Sequence, residues 1–270
     1  MRRGDDLSTE TLHATLTTRR LGRPTLYFPS IGSTNDELLA RAAAGAGEGL
    51  LAVADVQTAG RGRLDRSWWA PPGSSLLMSL LLRPAIPPSR AGQLTMCLGL
   101  AAVEGIEAVT GLRPALKWPN DLLLDGRKLG GMLSELRLAG DRLDHAVLGL
   151  GLNVNLAFDG PDVPADIAAT AISLSAALGR PVDRLTLLGA ILARCEAWYD
   201  RLLGGESPHL AWAERLDTLG QRVTVTLPNG ILHGVATGVT PEGALLVRDG
   251  TGRLQTIWAG DVTAVRSTVA

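Results

Sequence analysis

Apolar and polar residues alternate with two different periods along the chain. Residues 50–56 and 75–82 are short apolar runs bounded by polar or Gly-rich stretches, which predicts buried strands. Residues 143–154 form a longer run of the same kind, apolar enough for the centre of a sheet, and 27–31 predict a short strand. Residues 116–124 and 128–138 read as paired strands joined by a tight turn at Asp125-Gly126. Helical spacing marks 37–44, 89 to about 109 behind Pro87-Pro88, 168–178 and 185–203. Thr34 and Glu37 stand at capping-box spacing before the first of these. A break at 204–208 precedes one more short helix. From Gly220 the period shortens to strands at 222–227, 231–239, 244–248 and 254–258, with turns at 228–230, 241–243 and 249–250. That run predicts a small five-stranded barrel. The expected fold is α+β, a mixed β-sheet flanked by helices, followed by a C-terminal β-barrel. Residues 1–24 read as a loosely attached polar arm, 25–218 as the main domain and 219–270 as the barrel.

Composition narrows the function classes. The chain has 270 residues, 46% hydrophobic and 20% charged, which excludes wholesale disorder. No run of about 18 apolar residues marks a membrane span. The net charge of −1 argues against bulk nucleic acid as the main partner. Cys97 and Cys195 lie far apart in helix-like segments and build neither a disulfide framework nor a zinc site. The N-terminus is no secretory signal, so a reducing cytoplasm is expected. Of 26 basic residues, 24 are arginines, and Lys117 and Lys128 are the only lysines. Where arginine replaces lysine almost everywhere, a surviving lysine marks a place that needs a compact ammonium. Asparagine is also scarce, at 35, 120, 153, 155 and 229, and Asn229 is explained by its Pro-Asn-Gly turn.

Five segments could carry chemistry. Gln57, Gly60-Arg61-Gly62-Arg63, Arg66 and Trp68 form a Gly/Arg loop in which backbone N–H groups and guanidinium forks suit an anion and the indole suits a planar ring. Lys117-Trp118-Pro119-Asn120-Asp121 puts a carboxylate and an amide at a strand end, fit for a nucleotide or Mg²⁺, although a structural Lys117–Asp121 pair is the plainer reading. Lys128 leads Gly130-Gly131 at a strand start. Gly149-Leu-Gly151-Leu-Asn153-Val-Asn155 lacks the third glycine of a dinucleotide fingerprint, and its asparagines at i and i+2 demand a ligand or a network. Ser33-Thr34-Asn35 is a helix N-cap or a set of small donors. His13, His145, His209 and His233 show no metal-ligand spacing.

Taken in order, these segments resemble the biotin protein ligase family over residues 25 to 265, and no single segment does so alone. The resemblance implies a class II synthetase-like catalytic domain binding biotin and ATP, with an SH3-like C-terminal barrel. It implies attack of biotin's carboxylate on ATP to give biotinyl-5′-AMP, then transfer to a lysine of a biotin carboxyl carrier domain of the acetyl-CoA carboxylase type. Ser33, Thr34, Asn35, Gln57, Arg61, Gly62, Arg63, Lys128, Gly130 and Gly131 match biotin-side positions. Arg63, Arg66, Trp68, Asn120, Asp121, Lys128 and Asn153 match adenylate-side positions, with Lys128 and Arg63 at the chemistry and Asp121 toward Mg²⁺. Leu64-Asp65 departs from the family's glycine or basic residue, and Asp261 shortens its Gly-Glu-Val acid. The segment before residue 25 is too short for a DNA-binding domain, so the monofunctional form is expected, without specific DNA binding. The rival readings are a lipoate ligase or octanoyl transferase of the same fold, a nucleic-acid binder, and a non-catalytic biotin sensor.

Overall fold

The computed structural model describes residues 7–64, 66–160, 163–227 and 230–264. Seven strands build the main sheet: β1 (Thr25–Phe28), β2 (Leu51–Ala54), β3 (Ser75–Leu82), β4 (Ala115–Lys117), β5 (Asp121–Leu124), β6 (Arg127–Ala139) and β7 (Arg142–Asn153). Their order is β1-β2-β3-β7-β6-β5-β4. β1 and β2 run parallel and every other pair is antiparallel, so the sheet is mixed as expected. β7 is central because it can be: Val147 and Leu148 are both buried although they face opposite sides. One face packs Leu81 and Val147 under α2 (Thr34–Ala43). The other packs Leu80, Leu82 and Leu148 under α3 (Gly92–Thr110) and α6 (Arg184–Leu203). Gly105 lets those two helices approach, since a Cβ there would lie 2.7 Å from Ile191 Cγ1. Residues 88–110 pass the length and hydropathy test for a membrane helix, but most of that segment is buried in this core.

Local bonding moves several predicted boundaries. Ser33, not Thr34, caps α2 by accepting from Asp36 N at 3.4 Å, and the Thr34 hydroxyl is bonded elsewhere. The helix expected over 168–178 splits into α4 (Ala165–Thr170) and α5 (Leu174–Leu178), because Ile172 N donates to Lys128 O at 2.9 Å and Ser173 caps the second piece. The strand expected over 116–124 folds back on itself as β4 and β5.

The N-terminal segment is not a loose arm over its described residues. α1 (Thr9–Thr15) and the following turn bury Leu7, Leu12, Leu16 and Leu21 in the main core. The Glu196 carboxylate accepts the backbone N–H groups of Arg19, Arg20 and Leu21 at 2.9, 2.7 and 3.1 Å. Residues 1–6 of the expected arm lie outside the described residues.

After the short α7 (His209–Glu214), β8 (Arg222–Leu227), β9 (Gly230–Val239), β10 (Leu245–Asp249), β11 (Leu254–Ile257) and β12 (Asp261–Ala264) form an antiparallel sheet in the order β11-β10-β9-β8-β12. Pro228 and Asn229 of its first turn lie outside the described residues. The sheet is seamed to the main domain by Trp118 Nε1 donating to Gly243 O and Gln93 Nε2 donating to Pro241 O, each at 2.9 Å.

Burial pushes the Glu196 carboxyl up, and its three backbone donors outweigh that to hold it below the ordinary value. A depressed carboxyl stabilises the fold above its unfolded pKa and loses that contribution as pH falls through the folded one. Glu196→Gln is therefore expected to cost about 1–3 kcal/mol near pH 7. Urea denaturation at neutral and acid pH should show the gap between the two proteins closing as pH falls.

Candidate functional site

A cavity of about 380 Å³ opens over the ends of β6 and β7. The centre of its floor is bare sheet. Gly131 on β6 pairs with Gly151 on β7, and the Trp68 indole lies across both. A Cβ on Gly151 would stand 2.7 Å from Trp68 Cε2, and one on Gly149 would stand 2.4 Å from Asn35 Oδ1. These glycines are therefore required by what lies on them.

Two hydrogen-bonded groups flank that floor. In the first, Gln57 Oε1 accepts from Thr34 N at 2.7 Å and from its hydroxyl at 3.0 Å. Ser79 Oγ on β3 donates to Asn35 Oδ1 at 2.5 Å and stands 2.7 Å from Thr34 Oγ1. Asn35 Nδ2 donates to Glu135 at 2.7 Å and to Leu133 O at 3.2 Å, so the Asn35 amide is fully engaged. Glu135 and Asp36 also hold the Arg61 guanidinium.

The second group is charged. Lys128 Nζ pairs with Asp121 at 2.8 Å and stands 5.9 Å from the Trp68 ring centroid. Arg63 donates to Asn120 Oδ1 and to Gly260 O, both at 3.3 Å. Arg66 pairs with Asp261, so the C-terminal sheet reaches the cavity. Burial draws the Arg63 guanidinium down from its ordinary value, against the opposing pull of Asp121 and Asp261. Asn120 Nδ2 is fixed on Met132 O at 2.5 Å, and Asn153 Nδ2 on Ile172 O at 3.1 Å.

Backbone hydrogen bonds tie the two limbs of the loop together. Gly62 N donates to Arg66 O at 2.6 Å and Trp68 N to Gly60 O at 2.9 Å, closing a small hairpin. Leu64 at its tip takes φ 55°, the left-handed region where a glycine would be unstrained. Asp65 lies outside the described residues.

All but one of the expected site residues line this cavity: Ser33, Thr34, Asn35, Gln57, Arg61, Gly62 and Arg63, then Arg66, Trp68, Asn120, Asp121, Lys128, Gly131 and Asn153. Gly130 does not. It is buried in the sheet, where a Cβ would stand 2.8 Å from Gly151 O. Asn155 lies past the end of β7 and exchanges hydrogen bonds with the Val182 backbone instead. The expected Lys117–Asp121 pair does not form, because Asp121 pairs with Lys128. Glu135 was not among the expected residues, since nothing local in its strand distinguishes it.

Comparison with known proteins gives this arrangement a lineage. Residues 27–153 match the model of the Biotin/lipoate A/B protein ligase family, and 218–263 match the Biotin protein ligase C terminal domain. The chain is 36% identical to the bifunctional ligase/repressor BirA of Bacillus subtilis over 258 residues, 95% of this chain and 78% of that one. This chain belongs to the biotin protein ligase family. It is 37% identical to the biotin–[acetyl-CoA-carboxylase] ligase of Mycobacterium tuberculosis, over 87% of this chain and 86% of that one. The biotin protein ligase of Aquifex aeolicus, solved in complex with biotin and ATP, superimposes with a TM-score of 0.74 at 28% identity, covering 90% of this chain and 99% of that one.

Glu135 ties the loop to β6 through Arg61, an ion pair at the rim of a ligase-family cavity. Exposed pairs contribute about 0.2–1 kcal/mol, so Glu135→Ala is expected to raise the open fraction of the loop up to about five-fold. Trypsin should then cut at the 61–66 arginines faster by that factor, while cleavage elsewhere is unchanged.

Proposed function

We propose that this chain is an ATP-dependent biotin protein ligase, which forms biotinyl-5′-AMP and passes the biotinyl group to a lysine of a carrier domain. The observation that carries the reading is the joint lining of one cavity by the Ser33–Gln57 network and by Lys128, Arg63 and Asp121. Small neutral groups suit a biotin head, and clustered cations suit the union of a carboxylate with a phosphate.

Each residue has a task in this reading. Gln57 has its Oε1 committed to Thr34, which leaves Nε2, without a hydrogen bond among the described residues, as a donor for biotin. Ser33 and Thr34 complete that wall, and Asn35 holds it in place rather than reaching the ligand. Lys128 neutralises charge where the biotin carboxylate meets the α-phosphate, and Arg63 and Arg66 clamp phosphates from the loop. Trp68 stacks on the adenylate, and its buried Nε1–H, without a partner among the described residues, is a donor in reserve. Gly62 and Gly131 allow close backbone approach, and Asn120 and Asn153 serve the nucleotide side. Closure of the 60–68 loop keeps water from the anhydride. Asp121 is our candidate for receiving the acceptor amine's proton in the second step.

Mg²⁺ fits this site in one way. Among the described residues no three acidic, His or Cys side chains cluster to cage a metal. Asp121 alone suits an ion carried in on the nucleotide phosphates, where it would neutralise the departing group. The acceptor has a way in as well. A second cavity of about 690 Å³ shares the loop and the Trp118–Asn120 turn with the first, and opens past exposed Leu64 and Trp258. Two free, buried cysteines agree with the reducing cytoplasm that we take as its setting.

The test is transfer of labelled biotin to a purified carrier domain, with and without ATP and Mg²⁺. Wild type should label the carrier only with ATP. Lys128→Ala should lose about 10²–10³ in rate, as when one fixed transition-state donor is removed. Transfer of lipoate in place of biotin would move the substrate class, and biotin binding without ATP turnover would leave a sensor.

A further inference from the structure

Lys117 has no part in the scheme above, yet it is one of two lysines among 26 basic residues. Its place follows from register. β4 and β5 are antiparallel, with Lys117 directly opposite Asp121 and Leu116 opposite Leu122. Opposed residues leave a sheet on the same face, and neighbours in a strand leave on opposite faces. Leu116 and Leu122 are 1% and 0% exposed, in the core. Lys117 and Asp121 therefore share the other face. Asp121 defines that face as the cavity: it reaches Lys128, and its Oδ1 stands 3.4 Å from where a Gly131 Cβ would be.

Among the described residues five cationic side chains line the cavity, and four have partners before any substrate arrives. Arg61 is held by Asp36 and Glu135, Arg66 by Asp261, Lys128 by Asp121, and Arg63 by the Asn120 amide and the Gly260 carbonyl. Lys117 is half-buried, and its side chain makes no hydrogen bond or ion pair among the described residues. Asp166 on α4 lines the cavity too and forms no ion pair with it. An ammonium in the cavity without a partner is free to take up an anion that enters.

We propose that Lys117 is the binding site for the pyrophosphate that leaves in the first step. This rests on the ligase reading. Lys128 stands at the α-phosphate in that reading, and Lys117 stands on the far side of the intervening Asp121. In the step, a biotin carboxylate oxygen bonds to the α-phosphorus. The bond from that phosphorus to the α–β bridging oxygen breaks, and the oxygen departs with the electron pair on pyrophosphate. Charge grows on that oxygen as the bond breaks, and a fixed ammonium beside it favours departure. A point charge able to follow a leaving group suits lysine better than a rigid guanidinium fork, which explains its survival in so arginine-rich a chain.

The two half-reactions separate this role from any other. Pyrophosphate–ATP exchange, dependent on biotin, reads the first step. Transfer from added biotinyl-5′-AMP to the carrier domain reads the second, in which no pyrophosphate takes part. Lys117→Met and Lys117→Gln should each slow exchange by about 10²-fold or more. Transfer from the preformed adenylate should stay within about two-fold of wild type, and biotin affinity by calorimetry should not move; both values also report an intact fold. Unchanged exchange in both variants would overturn the proposal. Equal losses in the two half-reactions would overturn it too, by making Lys117 a prop for the whole cavity. A wild type that transfers from added adenylate but shows no exchange would remove the proposal and keep only the acyl transfer. A wild type that does neither would sink the ligase reading itself.

Discussion

The absence of side chains at Gly149, Gly151 and Gly131 is the constraint on which the site depends. β7 is the middle strand of a three-layered domain, where both faces are ordinarily filled by Leu and Val. At its end the residues of one face become glycine, and the space they leave is taken by Asn35 on one side and the Trp68 indole on the other. A methyl group at either β7 position would meet its neighbour below 3 Å. The cavity is thus a gap in a packed sheet, which gives it a stiff floor. Stiffness there matters because a donor displaced by one ångström loses much of its effect on a transition state.

The charges around that floor are arranged so that few are bare. Three of the five cations are held by carboxylates and a fourth by neutral oxygens. Each pair limits the cost of desolvating a cation at rest, and each can be exchanged for a substrate anion when one arrives. Exchange of partners makes binding weaker than the bare count of cations suggests. The holds also differ: Arg66 is tied to the C-terminal sheet through Asp261, whereas Arg61 is held by both α2 and β6.

Much of this was legible in the residues, for reasons that can be named. β3 and β7 carry long apolar runs with clear ends, and their bounds are close to those expected. The motif residues announce themselves because lysine and asparagine are scarce and glycine is not needed in an ordinary central strand. What was hidden depends on distant partners. Four leucines in a polar segment look incidental until α6 offers Glu196 to the backbone beside them. Gly130 and Gly131 are equivalent in sequence, and only strand alternation puts one in the cavity and the other against β7. Ser33 and Thr34 compete for the cap, and Gln57, 23 positions on, decides it by engaging Thr34. Glu135 has no local mark at all; its role comes from two residues on other elements.

The C-terminal sheet is the remaining piece, and its contacts argue that it is part of the site rather than an appendage. Its apolar residues, from Val223 and Val225 through Val247 to Val262, are continuous with the core of the larger domain. Gly260 and Asp261, at the start of β12, stand where the Gly/Arg loop needs holding: one offers a carbonyl to Arg63 and the other a carboxylate to Arg66. Trp118, inside the turn that presents Asn120 and Asp121, hangs its indole N–H on Gly243 of the same sheet. The loop and the turn carry the residues assigned to phosphate. Both are therefore positioned from outside the domain that binds them, and the small sheet acts as a brace across the open side of the cavity. The buried side of that brace, Trp118 and Gln93 on the main domain, fixes the sheet, while its polar contacts to Arg63 and Arg66 at the cavity stay open to a ligand.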